Sequence, residues 1–170
     1  MNSSVSAPTQ SRNPRLLIEN LEQAFAKLDS QTRSLLSEVS DQVLYQSTAP
    51  PGAPDASIGE LILKSAGAVE QTFGGLTANL WDDPFEWTLP ETLSTNILVS
   101  KYLDEVVEVR TAFFARLSLD TELSKLIAIP SGETQPLIRV LIETLMRAAG
   151  HLERAAVLVV LLSQASAPKV

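Results

Sequence analysis

The chain has 170 residues and a formal net charge of −7, with 13 Lys and Arg against 20 Asp and Glu. No basic run is present to displace counterions from phosphates, so nucleic acid and anionic membrane surfaces are disfavoured as partners. There is no cysteine, which removes disulfides, thiolate zinc sites, iron–sulfur clusters and cysteine nucleophiles together, and fits a reducing, cytoplasmic setting.

Residues 1–14 are rich in Ser, Asn, Pro and Thr without an apolar period and read as a disordered leader. Residues 15–165 read as one domain, long enough to bury its own core, and residues 166–170 as a tail. A first helix is expected over about residues 15–48, on Leu17, Leu21, Phe25, Leu28, Leu35, Leu36, Val39 and Val43, with Asp29-Ser30 as a place for a kink. The run Ala49-Pro50-Pro51-Gly52-Ala53-Pro54 cannot carry a helix, because proline lacks the N–H and restricts the residue before it.

Ser57 followed three residues on by Glu60 is a capping box. It opens a second helix along Ile58, Ile62, Ala66, Val69, Phe73, Leu76 and Leu80. Gly74-Gly75 weakens that helix by roughly 1 kcal/mol per glycine, and permits a bend or a close contact. Both tryptophans, Trp81 and Trp87, fall in the loop at residues 81–90 and are expected to seal a bundle end or line a ligand mouth. A third helix is expected over about residues 92–117, with Leu93, Ile97, Tyr102 or Leu103, Val106, Val109, Phe113 and Leu117 inward. A short extra turn or helix fits residues 119–126, and Ile129-Pro130-Ser131-Gly132 is a break. The last helix, over about residues 133–164, carries the clearest stripe: Leu137, Leu141, Leu145, Ala148, Leu152, Ala155, Val159 and Leu162. Pro136 fits its first turn. No strand alternation stands out, so the expected fold is an all-α four-helix bundle with a short extra helix between the third and fourth long helices. The apolar run at residues 155–162 is far short of the ~20 residues that span a bilayer, so no membrane segment is expected.

The sequence has no phosphate-binding glycine loop, dinucleotide fingerprint or serine-hydrolase elbow. Its one histidine, His151, excludes a bundle di-iron site, which needs two Glu-x-x-His motifs.

The order of signals resembles one family. A Pro-Gly loop precedes Ser57-Ile58-Gly59-Glu60-Leu61-Ile62. Asp83-Pro84-Phe85-Glu86-Trp87 and the helix opening Pro90-Glu91-Thr92-Leu93-Ser94 follow, and Arg147-Ala148-Ala149-Gly150-His151 lies in the closing helix. Over about residues 15–164 this is similar to the DinB-like superfamily of putative metal-dependent bundles. The resemblance implies the fold, and in metal-bearing members one histidine in the second helix and an H-x-x-x-H pair in the last. The matching positions here are Lys64 (Ser65 if the register slips by one), Arg147 and His151. Only His151 is a ligand type, since protonated lysine and arginine have no lone pair. No metal and no cofactor are therefore expected.

If Lys64, Arg147 and His151 converge, the pocket is cationic and suits an anion. The competing reading is ordinary surface chemistry. Lys64 lies opposite its helix's apolar stripe, and Glu143 is one turn before Arg147, as an intrahelical ion pair would be. His151 lies about 80° from the stripe of its helix, at the boundary between core and solvent. Glu70, Glu143 and Glu153 as substitute ligands is a weaker alternative, because Glu143 and Glu153 do not share a face. The favoured function is a binding or structural module without metal catalysis, expected to form a homodimer because several helices, especially over residues 155–162, are apolar almost all round, and to accept a small-molecule ligand. The alternatives are a divergent DinB-superfamily transferase or hydrolase using His151, and a small-molecule or anion sensor.

Overall fold

The structure, a computed structural model, describes residues 13–47, 56–84 and 91–165. Its long helices are α1 (Leu16–Ser37), α3 (Ile58–Ala78), α4 (Asn96–Phe114) and α5 (Leu137–Ala165), with a one-turn α2 (Asp41–Leu44) after the first. A 3-10 turn (Asp120–Ser124) and two antiparallel three-residue strands, β1 (Leu126–Ala128) and β2 (Thr134–Pro136), separate α4 from α5. The fold is an all-α four-helix bundle, with the short extra helix between its third and fourth long helices.

Two antiparallel pairs build it, α1 with α4 and α3 with α5. The α1–α4 pair is tied at both ends. Asp120, just beyond α4, accepts the Leu17 and Ile18 N–H groups at 3.0 Å and so caps the start of α1. Arg15, just before α1, donates to the Leu117 and Phe114 carbonyls at 2.8 Å and caps the end of α4. At the other end Asp41 accepts the Asn96 N–H at 2.7 Å, and the Asn96 side chain donates to Leu36 O and Val39 O.

α3 and α4 start at the same end, where Tyr45 lies against Gly59 and donates to Leu93 O at 2.6 Å. They therefore run parallel, and the chain between them must return the length of the bundle. Residues 79–84 turn back along α3. Asn79, at a left-handed φ of 57°, ends the helix. Gln71 donates to Trp81 O, and Pro84 is buried. α3 itself is buried on nearly every side. Where the helices meet, Phe25, Phe73, Phe113 and Phe114 form one cluster with ring centroids 5.2 to 5.9 Å apart.

Several boundaries differ from expectation. α1 runs straight through Asp29-Ser30, where Asp29 pairs with Arg33 one turn on, and stops at Ser37. Ser40, with extended backbone, then redirects the chain into α2. α4 starts at Asn96 on a Thr95 cap, with Val99, Tyr102, Leu103, Val106 and Arg110 on the inner face, and Ile97, about 160° round the helix from Val99, is 70% exposed. Arg110 is tolerated there because its guanidinium donates to Phe25 O at 2.9 Å. Residues 134–136 join the strand pair, and α5 begins at Leu137, after Pro136. Of the expected leader, Asn13 and Pro14 are described, and Pro14 O accepts the Asp120 N–H. Residues 1–12, the proline-rich run at 49–54, Trp87 and the expected tail at 166–170 lie outside the described residues.

Candidate functional site

The α3–α5 pair is joined along its length rather than at its ends. Small residues on α3 let the helices approach: Ser65, Ala68 and Thr72 are buried at successive turns. Ser65 donates to Ala148 O at 2.8 Å. Thr144 donates to Val140 O, so Thr72 is the donor in the 2.7 Å contact between the two threonine hydroxyls. Arg147 reaches across the seam to Ala68 O at 3.3 Å.

One turn beyond Arg147 on α5, His151 is half-buried at the edge of this seam. Its pKa is lowered from the ordinary 6.5, first by burial, then by the positive charges of Arg154, Lys64 and Arg147, with Asp83 acting the other way. The imidazole is therefore neutral at pH 7, with one nitrogen free to accept and one to donate. Antiparallel register carried on one turn from the Ala68–Arg147 contact sets Lys64 of α3 opposite His151 of α5. Sequence reasoning missed two members of this neighbourhood. Arg154 could have been found three residues after His151 on the same helix. Asp83 is brought by the returning chain, and no local pattern signals that.

The intrahelical pair expected between Glu143 and Arg147 does not form. Glu143 instead accepts from Arg139 at 2.7 Å, one turn the other way on the exposed side of α5, while Arg147 leans onto α3. The glutamates weighed as substitute ligands are dispersed. Glu70 accepts from the Tyr102 hydroxyl, and Glu153 lines the groove between α1 and α5. Among the described residues no three His, Cys, Asp or Glu side chains gather as a metal ion would require. The three positions matched to the family's ligands do not fit a metal either, since only His151 offers a lone pair at neutral pH.

Beside Arg147 opens a cleft of about 400 Å³, with walls that include Gln71, Trp81, Ile129, Gln135 and the Glu143 carboxylate, but neither Lys64 nor His151. That size suits a small organic molecule. Its aromatic wall depends on Gly75: a Cβ there would sit 2.2 Å from the Trp81 ring. Gly75 is thus the reason the tryptophan can lie down on α3. The glycine pair that weakens the helix in isolation shapes this wall.

The chain matches no protein-family model and no curated protein.

Proposed function

We propose that this chain is a DinB-like bundle that works without a metal, as a module binding a small organic anion at Lys64, Arg147 and His151. The observation that carries the reading is the reach of Arg147 across the seam to Ala68 O, whose antiparallel register sets Lys64 of α3 opposite His151 of α5, in a protein of net charge −7. Ammonium and guanidinium groups present N–H donors and no lone pairs, which suits a carboxylate or phosphate oxygen. A neutral His151 adds a further donor at the edge of the seam. The cleft beside Arg147 gives room for the body of the anion. A cytoplasmic setting and the absence of a nucleic-acid role fit the cysteine-free, acidic composition, and no described helix is long and apolar enough to cross a membrane.

The test is a thermal-shift titration with inorganic phosphate and with succinate at constant ionic strength, on wild type, Lys64→Ala and His151→Ala. Ligand bound only to the folded state must raise the melting temperature as its concentration rises. The reading predicts that rise in wild type and its loss in Lys64→Ala. No rise beyond that given by chloride would refute it. Stoichiometric metal in protein prepared without chelator, lost on His151→Ala, would favour the enzyme reading instead.

A second reading concerns assembly. We infer that the chain forms a homodimer, because Ile142, Met146, Val157, Val160 and Leu161 of α5 are all exposed. Sedimentation velocity across a concentration series tests it, and a monomer throughout would refute it.

A further inference from the structure

Exposed apolar residues on this chain are not scattered evenly. Five of the large ones lie on α5, a helix of 29 residues and therefore about 43 Å long. At 100° per residue, Ile142, Met146, Val157, Val160 and Leu161 fall on the side of α5 opposite Leu141, Ala148 and Ala155, which the core covers. Gly150 sits among them on the same outer side. A glycine in a helix interior costs about 1 kcal/mol relative to alanine. Among the described residues nothing requires this one, because a Cβ at position 150 would meet none of their atoms within 4 Å. The same side also carries the exposed Arg139 and Glu153, so the outer face is apolar with charges among it, around a glycine that lets a second helix approach closely.

We infer that the partner on this face is the α5 of a second copy, packed antiparallel about a two-fold axis near Gly150. This placement rests on the homodimer reading. The pattern around Gly150 is self-complementary. Ile142 lies eight residues before it and Val157 seven after, so each meets the other across the axis. Glu143 and Arg154 flank the same edge of the stripe. Antiparallel pairing sets Glu143 of one copy within a helical turn of Arg154 of the other, at both ends of the contact. Parallel pairing about a two-fold axis would put the two Glu143–Arg154 edges on opposite sides of the contact and form no such pair. Complementary edge charges of this kind fix orientation as well as partner. The interface is isologous, as two-fold symmetry demands.

Sedimentation velocity and light scattering on Met146→Glu, Val157→Glu and Gly150→Leu test the placement, with far-UV circular dichroism as the check on folding. Both glutamate variants are at exposed positions and are expected to stay folded and become monomeric where wild type is dimeric. Gly150→Leu is expected to weaken the dimer at least tenfold without lowering the melting temperature of the monomer, since the monomer has space for the side chain. Glu143→Arg is expected to weaken the dimer, and Glu143→Arg combined with Arg154→Glu to restore it. Wild type that stays monomeric would overturn both the homodimer reading and this placement. Wild type that dimerises, with affinity unchanged in Met146→Glu, Val157→Glu, Gly150→Leu and Glu143→Arg, would overturn the placement alone.

Discussion

The two antiparallel helix pairs of this bundle place their polar groups differently. In the α1–α4 pair they sit at the ends. Asp120, Arg15, Asp41 and Asn96 each serve backbone groups that a helix terminus leaves without partners. These side chains are absorbed by the fold. In the α3–α5 pair the polar groups lie mid-length, where the helix satisfies its own backbone. Ser65, Thr72, Thr144 and Arg147 bond across or along the seam. Arg147 donates once to Ala68 O, which leaves most of the five N–H groups of its guanidinium to other partners. The lesson is that the same residue types are structural at a terminus and become a candidate site in a seam. Long-range capping ties α1 to α4, whereas hydrogen bonds along the seam tie α3 to α5.

The comparison can be broken or sharpened by substitution. The largest effect is expected where both pairs meet. Phe73 is fully buried against Phe25, Phe113 and Phe114, and Phe73→Ala should cost about 3–5 kcal/mol in urea denaturation. Next is the end-tying of α1. Asp120→Ala frees the Leu17 and Ile18 N–H groups and should cost about 1–2 kcal/mol, although the residue is 102 positions away from Ile18. A cost near zero would mean that solvent serves that terminus equally well. Within the seam, Thr72→Val keeps the shape and removes the donor to Thr144, for about 1 kcal/mol. Smallest is Lys64→Ala, expected to change stability by less than about 0.5 kcal/mol while abolishing the phosphate-induced thermal shift. A large stability loss with binding intact would make Lys64 a structural residue and erase the contrast between the two pairs.

How much was legible depended on the range of the interaction. The Ser57–Glu60 capping box is local, and both of its bonds are present. The α5 stripe from Leu137 to Ala155 is periodic, and its Leu137, Leu141, Ala148, Leu152 and Ala155 are buried. Ile97 was misplaced because it stands two residues before the buried Val99, about 160° round α4 from the inner face that Val99, Leu103, Val106 and Arg110 share. The strand pair escaped notice because three residues are too few to show an alternation. Arg110 broke the apolar pattern, and its partner, Phe25 O, lies 85 positions away. Lys64, Arg147 and His151 entered as candidate site residues only through matched positions of a resembling family, not through any local pattern. Asp83 was not legible, because it is placed by a chain segment that folds back, and the ion pair read between Glu143 and Arg147 was decided by Arg139 and Ala68 instead.

Stability should register the same environment through pH. Burial and the neighbouring cations hold the folded His151 pKa below 6.5. The unfolded chain therefore binds the proton first as pH falls, and stability is lost between 6.5 and the lower folded pKa. His151→Gln should flatten that part of the profile.

The most direct test is proton NMR titration of the imidazole, since His151 is the only histidine in the chain and its signals need no assignment. The account predicts a pKa below 6.5 that rises in Lys64→Ala and in Arg147→Ala, and rises in wild type on addition of phosphate. A pKa at or above 6.5, unmoved by either substitution or by phosphate, would show that these charges do not meet at His151 and would contradict the proposed site.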